Sequence, residues 1–109
     1  MIKEILTAAA VPHRRGRYQR PPEETYAVFV EDLESDSADP VPSAGALPSV
    51  CRHDVRVELY EPKPDDTKEA ALEAELKSRG LSWTKQDRYW LQDVQRYQVI
   101  YELTYYTKH

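Results

Sequence analysis

The stretch Asp54-Val55-Arg56-Val57-Glu58-Leu59-Tyr60 alternates without a break. Val55, Val57 and Leu59 fall on one side of an extended chain, and Arg56, Glu58 and Tyr60 fall on the other. That period of two predicts a half-buried strand. Pro62 and Pro64 end it, because proline donates no backbone hydrogen bond to a ladder. Asp66, with Glu69 three residues on, has the form of a capping box that opens a helix, and Leu72 and Leu76 mark the helix's core stripe. Gly80 then supplies a residue able to take positive φ past the helix end, and Leu81 is the apolar residue that commonly closes such a cap.

Downstream, β-favouring residues run from Trp83 to Leu91 and again from Tyr97 to Tyr106, which predicts a C-terminal hairpin turning near Gln92-Asp93. On its second strand Tyr97, Val99, Tyr101, Leu103 and Tyr105 share the face expected to enter the core. Upstream, Thr25 to Val30 reads as a buried strand. Pro21-Pro22 bars a helix before it, and Val11 to Gln19 is expected as a short strand or an extended arm. At the start, Ile2, Ile5, Leu6 and Ala9 recur at helical spacing until Pro12 stops the pattern. Between about 34 and 50 the sequence turns to Ser, Asp, Ala and Pro, which predicts a long loop. The expected fold is α+β: a small, mostly antiparallel sheet of about four to five strands with two helices packed on one face, as one domain over 1–109.

With 109 residues there is room for one modest core, and 40% hydrophobic against 31% charged residues is ordinary globular usage. The formal net charge of -4 argues against coating nucleic acid by phosphate neutralisation. Cys51 is the one cysteine, so an intramolecular disulfide and a cysteine-rich zinc site are excluded and a reducing compartment, the cytoplasm, fits best. No stretch approaches the roughly 18 apolar residues of a membrane span, and no membrane partner is expected.

Cys51 and His53 stand two apart with Asp54 adjacent, so an extended chain points thiol and imidazole to one side. A nucleophile-base pair can be written from them, but no oxyanion-type glycine turn accompanies it, and the plainer reading is a strand-edge thiol beside a solvated imidazole. The expectation is therefore no enzyme and no catalytic residue. His13, His53 and His109 form no helical ligand pair, and Gly16, Gly45 and Gly80 cannot build a phosphate cradle, so no metal and no cofactor is expected. The run from His13 to Arg20 packs four arginines and Tyr18 into eight residues. It could grip phosphates, but the acidic run containing Glu31, Asp32 and Glu34 can neutralise it within one subunit or between neighbours. Eight tyrosines and two tryptophans exceed what a small core needs, and interfaces favour Tyr, Trp and Arg. The expected oligomer or partner surface is Arg14, Arg15 and Arg17 against Glu31, Asp32 and Glu34, with Ile100 and Tyr106 on the mixed face of the last strand.

Val55 to Tyr60, the helix opened at Asp65-Asp66 and carrying Glu69 to Leu76, Gly80-Leu81-Ser82-Trp83, and Tyr97 to Glu102 resemble, in order and spacing, the core pattern of siphophage tail-completion or tail-terminator proteins. Pro21 to Val30 is similar to that family's first long strand, so the resemblance covers roughly 80 residues. It implies a structural phage or prophage protein, a minor virion component made in the host cytoplasm. Its subunits would close into a ring, typically a hexamer, that caps the tail tube and joins it to the head. The implied partners are further copies of the chain, a tail-tube protein and head connector proteins. The chain departs from the family pattern at Ser35 to Val50, where a longer loop would project toward a connector or tube protein. The alternatives are another head-tail connector or minor capsid component, or a small nucleic-acid-binding regulator using the arginine run.

Overall fold

The computed structural model describes residues 1–35 and 50–108. Helix α1 (Ile2–Ala8) is too short to be stable alone and is held by burial of Ile2, Ile5 and Leu6. It closes with two C-terminal bonds, Val11 N–H to the Leu6 carbonyl and Ala10 N–H to the Thr7 carbonyl, each 3.0 Å. Ala10 stands at φ 57 in a place where glycine is the usual residue. Pro12 then starts the chain outward, and its carbonyl accepts from Ala27 N–H at 2.8 Å. That bond seats β1 (His13–Arg15) parallel beside β2 (Tyr26–Ser35), with His13 opposite Ala27 and Arg15 opposite Phe29.

The expected strand at Asp54 to Tyr60 is the middle of a longer one, β3 (Val50–Glu61), paired antiparallel to β2 along its whole length from Tyr26↔Tyr60 to Ser35↔Cys51. The loop expected at about 34–50 is therefore narrower, and its remainder, residues 36–49, lies outside the described residues. Helix α2 (Asp66–Ser78) begins with Asp65 as its N-cap, one residue before the expected Asp66. Asp65 Oδ1 accepts from Lys68 N–H at 3.1 Å, while its Oδ2 accepts from the Thr25 hydroxyl at 2.6 Å, tying the helix start to the entry of β2. Glu69 is turned inward rather than back to the cap. At the other end Gly80 has φ 71, and Leu81 N–H and Gly80 N–H reach the carbonyls of Leu76 and Lys77, the expected glycine cap.

Of the expected C-terminal hairpin, the first strand is two short ones. β4 (Trp83–Lys85) pairs with residues 101–103 and β5 (Tyr89–Leu91) with residues 96–98 of β6 (Arg96–Lys108). The order across the sheet is β1-β2-β3-β6-β4, with β5 also on β6. The α+β class is as expected. The sheet differs in having six strands and in the parallel β1–β2 pair, which arises because the chain recrosses between Gly16 and Thr25 instead of turning back.

One face of the sheet carries Ala27, Phe29, Val55, Val57, Leu59, Val99, Tyr101, Leu103 and Tyr105, and these form a single core with Ile5 and Leu6 of α1 and Leu72 and Leu76 of α2. Both helices thus cover the same face, fixed by the alternation read from Val55 and Tyr97 onward. Among the described residues no helix is long and apolar enough to cross a membrane. The molecule is elongated, 56 × 28 × 22 Å, because β2, β3 and β6 are long and only partly flanked by the short strands.

Candidate functional site

Of the sequence-predicted surface residues, Arg14, Arg15, Arg17, Asp32 and Tyr106 are exposed, whereas Glu31 and Ile100 are engaged within the chain. Parallel pairing of β1 with β2 lays the arginine run beside the acidic run in the same chain. Arg14, Arg15 and Arg17 are all exposed. Arg15 Nη2 reaches the Glu31 carbonyl at 3.5 Å, and Arg14 lies 5.8 Å from the Tyr18 ring centre. Among the described residues no ion pair joins the two runs. Asp32 is exposed at the outer edge of β2, and Glu34 continues that strand opposite Arg52.

Glu31 is engaged inside the chain. Its Oε1 accepts from the Tyr105 hydroxyl at 2.6 Å and lies 3.3 Å from His53 Nδ1, while His53 Nε2 meets the Thr107 hydroxyl at 2.8 Å. The His53 and Tyr105 rings stack with centroids 4.4 Å apart. Burial works against the Glu31 carboxylate, but the bonds from Tyr105 and His53 outweigh it and hold its pKa below the usual range. Burial, followed by the bond to Glu31, pushes the Tyr105 phenol up. Cys51 is buried on β3, which is flanked by β2 and β6 on its two sides, so it is not the strand-edge thiol expected from sequence. With both ring nitrogens of His53 already partnered, this cluster ties β2, β3 and β6 together.

Of the two candidates on the last strand, Ile100 is 7% exposed and covered within the chain, whereas Tyr106 is 61% exposed. Ile100 shares the open face with Tyr26 and Tyr60, which stack at 5.1 Å, and Tyr18 closes on Tyr26 edge-on at 5.3 Å. Tyr60 donates to Glu58 and accepts from Gln98, and burial first, then Glu58, pushes its phenol up to about 12. Beside this patch a shallow trough of about 820 Å³ is lined by Arg52, Arg56, Asp32, Asp54, Glu58 and Glu102 among others. Arg56 lies opposite Glu102 and pairs with Glu58 at 3.1 Å, and Arg52 pairs with Asp54 at 3.1 Å, but Asp32 stands opposite Asp54, so four carboxylates line the trough against two arginines.

A cluster that sequence spacing does not reveal lies between β3, α2 and the β4–β5 connection. Arg88 donates to Glu61 Oε1 (3.2 Å), Asp66 Oδ1 (3.4 Å) and Glu69 Oε2. Lys85 donates to Glu69 Oε1 and Glu73 Oε2, each at 2.8 Å, and the Tyr101 hydroxyl donates to Glu73 at 2.6 Å. Four carboxyls thus meet two cations. Glu61 is fully buried, and its Oε2 receives no hydrogen bond from any donor among the described residues. Burial first, then the bond to and charge of Glu69, push Glu61 up to about 8. Glu69 moves the other way: burial opposes its ionisation, but bonds from Glu61, Lys85 and Arg88 pull it down to about 2. The two carboxyls titrate as a coupled pair, with burial favouring the neutral form at Glu61 and the cations of Lys85 and Arg88 favouring the ionised form at Glu69. Its positions are distant in sequence and meet only through the topology.

Exposed apolar side chains remain at the long end of the sheet: Leu33 is 61% and Val30 45% exposed, alongside Tyr106. Here β2 beyond Phe29 and β6 beyond Leu103 have no pairing strand on their outer sides among the described residues. Among the described residues no group of three or more His, Cys, Asp or Glu is placed to hold a metal ion. Compared with known proteins, the chain matches no family model and no curated protein.

Proposed function

We propose that this chain is a structural assembly subunit of a tailed phage or prophage, a tail terminator whose copies form a ring that caps the tail tube and joins it to the head. What carries the reading is the end of the sheet where β2, β3 and β6 run on with exposed Leu33, Val30 and Tyr106, and where no strand among the described residues pairs with the outer sides of β2 and β6. Such edges are features that a chain working alone tends to cover. The ordered resemblance from Val55 to Glu102 supports the same reading. The engagement of Glu31, His53 and Arg88 with other side chains of the same chain supports it too, since these groups bind the chain to itself rather than converge on a substrate.

A closed ring needs two different, complementary patches on each subunit, and the chain has two distinct edges. The partners proposed are further copies of the chain, the tail-tube protein and a head connector, with the protein made in the host cytoplasm and retained at the head-tail junction. Purified protein added to polymerising tail-tube protein should stop tube growth and appear as a ring at tube ends by electron microscopy. Tubes of unchanged length with bare ends would refute the terminator assignment, and binding to a head connector instead would move the ring to the neighbouring joint. The exposed arginine arm of β1 favours nucleic acid as a second reading, for which salt-sensitive retardation of DNA or RNA in a gel is the signature.

A further inference from the structure

We propose that two copies of this chain pair face to face through the open side of the sheet, about a two-fold axis near Val30, with the arginine arm of each copy seated on the Asp32 and Asp54 carboxylates of the other. This contact lies beyond the ring proposed above: it uses the face of the sheet and leaves the strand edges free. Residues at even positions of β2 point to the open face, since Ala27 and Phe29 at odd positions enter the core under the helices. Arg14 stands opposite Val28 in the β1–β2 ladder, so its side chain projects on that same open face. Tyr18 packs edge-on against Tyr26, and its ring centre lies 5.8 Å from the Arg14 guanidinium, which holds the arm there. Arg14 and Arg17 are exposed, and among the described residues neither side chain meets a carboxylate.

Further along the same face lies a surplus of the opposite charge. Asp32 is exposed and stands directly opposite Asp54 in the β2–β3 ladder, an arrangement that costs energy unless a cation intervenes. Arg52 is paired to Asp54 and Arg56 to Glu58, which leaves Asp32 without a cation among the described residues. The trough lined by these groups therefore keeps more carboxylate than arginine. Residues 36–49 carry Asp36 and Asp39 and no lysine or arginine, so that segment supplies no counter-charge. Arginine fits such a site well, because its planar fork bonds two carboxylate oxygens at once.

The spacing of the two patches selects the symmetry. Arg14 is level with Val28, one strand outside β2, and Asp54 is level with Asp32, one strand inside it. Val30 lies midway between them on the same face and is 45% exposed. A two-fold axis lying between two open faces at Val30 exchanges the patches: Arg14 of each copy reaches Asp32 and Asp54 of the other, and both contacts form at once. The two Val30 side chains meet at the axis and leave water, an apolar centre within a charged rim. No strand is added to the sheet, and β1, β4 and β5 stay where they are. The outer backbone groups also stay free. Ala27 N–H bonds outward to the Pro12 carbonyl and the Ile100 carbonyl accepts outward from Gln86 N–H, so by alternation the N–H groups of Leu33, Ser35, Thr104 and Tyr106 remain for the ring.

Charge-swapped variants test the pairing by sedimentation. Arg14→Glu and Asp32→Arg should each weaken association of the free chain at least about tenfold, since each sets like charges together in both contacts. An equal mixture of the two should recover the wild-type affinity, because each reversed arm then meets a reversed site and each native arm a native one. Val30→Lys places two cations at the axis and should abolish pairing, and the wild-type dimer should loosen as salt is raised from about 0.05 to about 0.5 M. A mixture no tighter than its separate components, association that survives Val30→Lys, or affinity indifferent to salt would overturn the proposal. Weakening by Arg14→Glu with Asp32→Arg as tight as wild type would overturn it too, since the arm would then be seated on something other than these carboxylates. So would a wild-type chain that stays monomeric at every concentration. Each of these results leaves the ring to be judged separately by the tube-capping assay. Should circular dichroism show that a charge variant does not fold, Val30→Lys and the salt series on the wild-type chain carry the test.

Discussion

Replacing Glu61 by Gln probes the buried carboxyl pair. Glu61 Oε2 is fully buried without a donor among the described residues, and a buried acceptor left so costs about 1–3 kcal/mol, more when it is charged. Protonation turns that oxygen into a donor toward Glu69, and the Gln amide supplies a donor of the same shape at every pH. A group whose folded pKa is raised contributes stability that is complete below its unfolded value and is lost as pH rises through the folded one. For Glu61, pushed up to about 8, the loss runs from about pH 4.5 upward, by at most about 1.4 kcal/mol per unit. The full span gives an upper limit of roughly 5 kcal/mol, and halving it for the coupling to Glu69 and the partial exposure of Arg88 leaves about 2 kcal/mol. For a chain of this length that is about 8 °C in Tm. Thermal unfolding of wild type and Glu61→Gln should therefore nearly coincide at about pH 5, with the variant melting about 8 °C higher at about pH 8.5. A variant less stable by the same amount at both pH values would refute the reasoning, since Glu61 would then be an ionised partner of Arg88 throughout.

Other substitutions probe the framework. Ala10→Gly relieves a left-handed backbone at φ 57 and should stabilise by about 0.5–1 kcal/mol in urea unfolding, because the αL penalty for Ala exceeds the extra chain entropy of Gly. Asp65→Ala removes both the N-cap of α2 and the acceptor for Thr25 and should cost about 1–2 kcal/mol by the same measurement. Leu72→Ala, at a site with no exposure in the core shared by both helices, should cost about 2–5 kcal/mol. Arg88→Leu strands Glu61 and Glu69 without their shared cation and should lower Tm most at alkaline pH, where both carboxyls would be ionised.

Much of the fold was legible because its signals are local. Val55, Val57 and Leu59 alternate, as do Val99, Tyr101 and Leu103, and both sets enter the core. Gly80 ends α2 where its freedom at positive φ is needed. What sequence missed depends on partners far along the chain. Cys51-Arg52-His53 has no strong strand preference, yet it is held extended by β2 and β6 on its two sides. Trp83 to Leu91 reads as one strand, but Arg88 is drawn to Glu61 and Glu69, and the ladder breaks between Lys85 and Tyr89. Glu69 fits a capping box by spacing, while the cations of Lys85 and Arg88 hold it in the interior. The arginine and acidic runs were read as complementary surfaces, but nothing local shows that Glu31 is claimed by Tyr105 and His53.

Amide hydrogen exchange at single-residue resolution tests most directly whether the open edges are used by sibling chains. In dilute solution the N–H groups of Leu33, Ser35, Thr104 and Tyr106 should exchange quickly, and in the ring form all four should slow together while Val57 and Tyr101 in the core remain unchanged. Protection that rises elsewhere in the ring, with those four amides still exchanging freely, would contradict the account.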